Sequence, residues 1–300
     1  MTPQRSMTDW SMFLLLSGCW ASAFLMTKVA VQDLPASVII PSRLIVGAIC
    51  MWAVMLMRGE RLPPLSATAS WLSIIGLGVI GTAVPFYLIT LGQKTINAST
   101  ASLLIAGAPL FVAGMAHFRF KDDRMTVNKV IGLIVGFIGV AVLLGPDAIK
   151  GIGNANLIAQ LLVLGGALCY AVNSIIARGA PKLAPAVMPA GFLTVASVVV
   201  MPMLFFTDWD EVTFNASNVS AVLALGLVPT AFAGVVLMEL VSRTSATFIS
   251  LTGYVIPIMT VILGYVFFRE TQNWNALLAF VLILAGVWLS QRSGRMKRRY

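Results

Sequence analysis

Apolar stretches about as long as a bilayer core is thick recur from one end of this chain to the other, and they restrict the fold more than any other feature. Roughly 20 helical residues cross about 30 Å of hydrocarbon. Short clusters of charge, proline and aromatic residues separate the stretches, so ten spans are expected near residues 9–31, 36–57, 69–92, 97–118, 127–145, 155–177, 186–206, 218–242, 246–268 and 273–291. Only 10% of the residues are charged and 59% are hydrophobic, whereas soluble domains carry about 25% charged residues. An all-α integral membrane protein is expected. A transmembrane barrel would show segments of about ten residues with alternating polarity, but Val130 to Leu144 is apolar on every face. The first run, Trp10 to Val31, is too long for a signal-peptide core and should remain as the first span.

Lysine and arginine divide unequally between the two ends of these spans. Fifteen lie on one side: Arg5, Arg58, Arg61, Arg119, Lys121, Arg124, Lys129, Arg178, Lys182, Arg243, Arg292, Arg295, Lys297, Arg298 and Arg299. Three, Lys94, Lys150 and Arg269, lie on the other, and Lys28 and Arg43 fall within spans. Basic loops stay in the cytoplasm, so both termini are expected inside, in a multi-pass cell (inner, cytoplasmic) membrane protein. The net charge of +9 therefore marks orientation and not nucleic-acid binding. The tail from Arg292 to Arg299 reads as a stop signal that can also touch anionic lipid.

The chain also repeats itself. At a shift of 150, Cys19, Trp20, Ala21, Lys28, Pro35 and Ala36 meet Cys169, Tyr170, Ala171, Arg178, Pro185 and Ala186. At a shift of 148, Gly78, Thr82, Ala83, Ala98, Ser102, Leu103 and Pro109 meet Gly226, Thr230, Ala231, Ala246, Ser250, Leu251 and Pro257. Residues 1–150 and 151–300 thus read as two five-helix repeats. Five is odd, so the second copy enters the membrane from the opposite side, and the ten transmembrane helices form two inverted repeats. Such halves recur in secondary transporters, where they open a central site to each side in turn.

Several motifs resemble the EamA-like, ten-span branch of the drug/metabolite transporter superfamily. They are Gly18-Cys19-Trp20-Ala21 in span 1, Pro41-Ser42-Arg43-Leu44 in span 2, and Ala98-Ser99-Thr100-Ala101-Ser102 leading to Pro109. The repeats also end alike, on an acid followed closely by threonine and then a glycine-rich helix: Asp123 and Thr126 before Gly132, Gly136 and Gly139, and Glu270 and Thr271 before Gly286. The resemblance implies a transporter, with exporters of aromatic and other neutral amino acids the nearest comparison. It also implies a cavity formed mainly by spans 1, 3, 4, 6, 8 and 9. Leu193 stands opposite Arg43 in the second copy, so any role of Arg43 is not symmetric.

Aromatic and neutral polar residues sit at mid-depth. Trp20, Thr82, Tyr87, Ser102, Tyr170, Asn173, Ser250 and Tyr254 are the candidate substrate-binding residues; together they suit a cavity with apolar walls and a few hydrogen-bonding groups. The alternative is that the aromatic rings fill the bundle and the hydroxyls bond to backbone. Lys28, Arg43 and Glu239 are candidate gating or structural charges. Both Lys28 and Arg43 can snorkel to the outer surface; Arg43, where it faces the bundle interior, can instead draw a carboxylate or bond loop carbonyls. Pro85, Pro109, Pro229 and Pro257 are expected to bend spans 3, 4, 8 and 9.

Carboxylates and histidine are missing from the midplane: Glu239 and His117 lie near span ends. This favours facilitative export of small neutral or amphipathic metabolites, most simply amino acids, by alternating access. A proton-coupled exporter of drugs or purine-like compounds is the alternative. An intramembrane enzyme lacks its nucleophile, base or metal ligands here. Gly76 to Gly81 spells GxGxxG, but without a preceding strand it reads as helix packing. The cysteines Cys19, Cys50 and Cys169 lie in apolar runs, so neither a disulfide nor a metal is expected, and no cofactor is needed. The expected partners are a small-molecule substrate and the lipid bilayer, with the chain acting as a monomer or weak homo-oligomer.

Overall fold

A computed structural model describes residues 6–120, 125–149, 154–210, 212–244 and 246–296. Asp123, the basic residues Arg5, Lys121, Arg124 and Lys150, and the tail beyond Met296 lie outside them. Among the described residues every element is helical. Eight helices are long and apolar enough to cross a membrane: α1 Met7–Ala30, α2 Ala36–Met57, α3 Thr68–Gln93, α4 Ala98–Arg119, α5 Val127–Gly145, α6 Ala155–Gly179, α7 Val187–Phe206 and α8 Ala216–Arg243. The shorter apolar helices α9 Thr252–Phe268, with the turn Ala246–Ile249 before it, and α10 Trp274–Ser290 bring the number to the expected ten.

Local chemistry sets the helix ends. Ser6 and Asp9 form a capping box at α1, with reciprocal bonds of 3.2 and 3.0 Å. Asn215 and Asn218 do the same for α8, and Asn97 accepts from the Thr100 N–H at 2.7 Å to cap α4. Glu270, in the α9–α10 connection, completes the α4 cap by accepting from the Ala98 and Ser99 N–H groups, each at 3.1 Å. Hydrocarbon leaves no water for free backbone groups, so such ends must be satisfied by protein.

The helices pair in exchanged sets. The neighbours of α3 are α6 and α7, and those of α8 are α1 and α2; α4 packs on α6 as α9 packs on α1; α2 meets α7, and α5 meets α10. Swapping the first five helices with the last five leaves this list of pairs unchanged. Close backbone approach makes the α5–α10 seam: a Cβ at Gly286 would stand 2.5 Å from the Gly132 carbonyl oxygen and the Gly136 nitrogen, a distance only small residues permit. The glycines of the GxGxxG stretch serve the same purpose in α3, where a Cβ at Gly78 would stand 2.7 Å from the Phe192 carbonyl oxygen of α7.

Helices α3 and α8 are distorted in the same way. Each contains a π-helical segment, Val79–Ala83 and Gly226–Phe232, at places that correspond in the two copies. The Val84 N–H bonds the Val79 carbonyl and the Ala233 N–H bonds the Val228 carbonyl, each five residues back. A threonine hydroxyl follows the same five-residue rule in both, Thr82 donating to Leu77 at 3.0 Å and Thr230 to Leu225 at 2.8 Å. In α8 the segment encloses Pro229, which has no N–H to give the Leu225 carbonyl an α-helical partner; the π-helical register and the Thr230 hydroxyl serve that carbonyl instead.

Helix α4 is interrupted at Ala106–Gly107, directly before Pro109, which starts its second part. Around α9 the interruption falls at Ser250–Leu251, ahead of Pro257, which lies inside a continuous helix. The N–H that Pro257 lacks would have bonded the Gly253 carbonyl, in the first turn of α9, so one intrahelical bond is lost near the start of the helix.

Candidate functional site

Arg43 anchors the candidate site. It lies on α2 with only 9% of its surface exposed. Its Nε donates to Thr230 Oγ1 at 3.0 Å, and its guanidinium carbon stands 3.9 Å from the centre of the Phe86 ring on α3. The phenol of Tyr170 on α6 lies within electrostatic reach of the same guanidinium. Four helices from both halves of the chain therefore converge on one buried cation. The approach of α2 to α8 depends on small residues: a Cβ at Gly226 would stand 3.0 Å from the Arg43 carbonyl oxygen, and one at Gly47 2.6 Å from the Thr230 methyl.

The π-helical segment of α8 gives Thr230 its place in this cluster. Its hydroxyl proton goes to Leu225, so its oxygen is left to accept from Arg43. A charge buried in a membrane needs such partners, and a stacked aromatic face adds to the attraction. Across the seam between α3 and α7, Leu193 takes the place of the arginine, and Thr82 keeps its bond to Leu77 without a cationic donor. The cluster is polar on one side of the molecule and apolar on its counterpart.

Asn173 extends the site one turn along α6 from Tyr170. Its side chain occupies the space over Gly81, where an added Cβ would meet Asn173 Cγ at 2.8 Å. Neither the Asn173 amide nor the Tyr170 hydroxyl has a hydrogen-bond partner among the described residues. Tyr254 of α9 and Tyr170 pack against the same apolar cluster, which includes Phe24, Leu25 and Ile89.

The other residues singled out from the sequence go elsewhere. Trp20 packs with Phe13, Cys19, Val236 and Phe248 in a cluster shared by α1 and α8. Ser102 is buried and donates to the Ser99 carbonyl of its own helix at 2.8 Å, and Thr82 is held by Leu77. Tyr87 is 38% exposed and shares a surface stripe with Ile80 and Val84. Ser250 sits exposed at the break before α9. Lys28 Nζ donates to the Ile96 carbonyl at 3.4 Å, which fastens α1 to the α3–α4 connection. Glu239 pairs with Arg243 one turn on, at 2.6 Å, in an exposed position.

Thr230 and Phe86 were not among the sequence candidates. Thr230 could have been reached from Thr82 through the repeat; Phe86 carried no signal beyond its neighbour Pro85. The three cysteines are free. Among the described residues no group of His, Cys, Asp and Glu could hold a metal ion.

Comparison with known proteins agrees with this architecture. The EamA-like transporter family matches the chain twice, over residues 10–145 and 157–291. The chain is 23% identical to the uncharacterized transporter YoaV of Bacillus subtilis over 90% of its own length and 92% of that protein's. It is 28% identical to a probable terminal-alkyne amino-acid exporter of Streptantibioticus cattleyicolor, over 93% and 92% of the two chains. The uncharacterized inner membrane transporter YedA of Escherichia coli is 24% identical, over 90% and 88%. A crystal structure 20% identical in sequence superposes with a TM-score of 0.67, over 97% of this chain and 99% of the other, and so shares the fold. Matched over most of its length, the chain belongs to the EamA-like transporter family and is a multi-pass membrane transporter, not an enzyme.

Proposed function

We propose that the protein exports small neutral or amphipathic metabolites, amino acids first among them, from the cytoplasm across the cell membrane. The observation that carries the reading is the pairing of Tyr170 and Asn173 on one face of α6. These uncharged polar groups lack hydrogen-bond partners among the described residues; Tyr170 packs on an apolar cluster drawn from both halves of the chain, and Asn173 lies over Gly81 of α3. A zwitterion with an apolar side chain matches such a surface. The relative from Streptantibioticus cattleyicolor named as an amino-acid exporter supports the substrate class.

Residues 1–150 and 151–300 act as two inverted repeats that exchange conformations. The exchanged helix pairs and the matched π-helical segments in α3 and α8 support this alternating access. Both termini face the cytoplasm, as the lysine and arginine distribution requires. Movement is facilitative, because Glu239, the acid expected within a span, is tied to Arg243 at the surface.

Uptake of labelled tryptophan, threonine and glutamate into proteoliposomes, with and without an imposed pH gradient, tests the reading. Saturable movement of tryptophan and threonine but not glutamate, indifferent to the gradient, is expected. Accumulation driven by the gradient would replace facilitation with proton coupling. Movement of drugs or purine-like compounds in place of amino acids would overturn the substrate class.

A further inference from the structure

We propose that Arg43 is the receptor for a substrate carboxylate and that the site has no counterpart for an ammonium group. The site therefore takes carboxylates with an apolar body whether or not a free amine is attached. The proposal rests on the transport reading above and narrows its substrate.

The guanidinium is held so that a single edge is free. Phe86 covers one face at 3.9 Å, and Thr230 fixes the Nε at 3.0 Å. The two terminal amino groups have no hydrogen-bond partner among the described residues, and no acid there pairs with this 91%-buried cation, 9% exposed. The free edge is the one that receives a carboxylate in the parallel, two-bond geometry arginine favours. A buried cation without a counter-ion is costly, and a bound carboxylate supplies one. Nothing comparable awaits an amine. Glu239 is committed to Arg243 at the surface, and the other acids among the described residues sit at helix ends or in connections. An ammonium would meet only the neutral Tyr170 and Asn173, with no acid to pair with it and the like charge of Arg43 close by.

The test uses the purified full-length protein. Thermal melting in detergent is followed with tryptophan, N-acetyltryptophan, indole-3-propionate and tryptamine, and the last three compete against labelled tryptophan in proteoliposomes. The three carboxylates should stabilise with half-effect concentrations within about tenfold of one another, and tryptamine should be weaker by about 100-fold or more. R43Q should raise the carboxylate half-effect concentrations by about 10- to 100-fold. R43K keeps the charge without the fork and should fall between; it carries the test if R43Q does not fold.

Tryptamine acting as well as indole-3-propionate would overturn the proposal, as would binding of tryptophan without N-acetyltryptophan. So would carboxylate binding that R43Q and R43K leave unchanged. If tryptophan is not transported while indole-3-propionate binds in an Arg43-dependent way, the export reading falls and the carboxylate site stands. If none of the four probes binds, both fall.

Discussion

The two threonines of the π-helical segments provide an internal control for the buried arginine. Thr82 and Thr230 occupy equivalent positions and make equivalent bonds, to the carbonyls of Leu77 and Leu225 at 3.0 and 2.8 Å. Only Thr230 also accepts from Arg43, at 3.0 Å. Valine at either position removes the hydroxyl and keeps the branched shape. T82V loses one neutral hydrogen bond, about 0.5–1.5 kcal/mol. T230V loses a bond to a charged group as well, about 1.5–3 kcal/mol. The gap between the two variants should therefore be at least about 1.5 kcal/mol. Unfolding by denaturant in detergent micelles, followed by circular dichroism, measures both against the parent. Equal losses within about 0.5 kcal/mol would refute a stabilising Arg43–Thr230 contact, and an R43Q/T230V double-mutant cycle isolates the pairwise term.

Four further outcomes can be checked. G286A should destabilise by about 3 kcal/mol, at the upper end of overpacking costs, because its methyl meets backbone of α5 and not a movable side chain; G114A, with nothing within 4 Å of the new methyl, should be neutral or slightly stabilising in the same unfolding assay. G81A should leave the fold intact and displace Asn173, so its transport KM should shift as that of N173A does; matched KM values for G81A and the parent would separate Asn173 from the site. E270A should loosen the start of α4 by about 1–2 kcal/mol, read as faster hydrogen exchange at the Ala98 and Ser99 amides. E239Q should change stability by no more than about 0.5 kcal/mol, since the pair is exposed, and should leave transport unaltered; loss of transport would make Glu239 a coupling group.

The spans were legible because hydropathy is a local property. The ends agree with the structure to within two residues except at the start of the ninth span, expected at 246, where a separate turn Ala246–Ile249 precedes the helix Thr252–Phe268; most are set by nearby charge, proline or a capping side chain. The faces of those spans were not legible. A membrane helix is apolar all round, so periodicity does not separate core from lipid. Tyr87 looked equivalent to Tyr170, yet it shares a surface stripe with Ile80 and Val84 while Tyr170 lies within electrostatic reach of Arg43. Prolines announced distortion without locating it: Pro229 lies inside its π-helical segment, Pro85 just beyond the one in α3, and Pro257 well after the break that precedes α9.

Sequence alone determined the membrane class, the number of crossings and the internal duplication, because length, hydropathy and a nearly constant offset are read along the chain. Tertiary structure decided which charges are buried and what they touch. Lys28 and Arg43 both fall within spans, but one bonds a connection at the helix end and the other bonds Thr230, 187 positions away in the chain. That contact exists because glycines let α2 and α8 approach and because a π-helical turn directs one hydroxyl toward the guanidinium. No local pattern encodes a meeting of two helices so far apart in sequence; it is fixed only when the bundle packs.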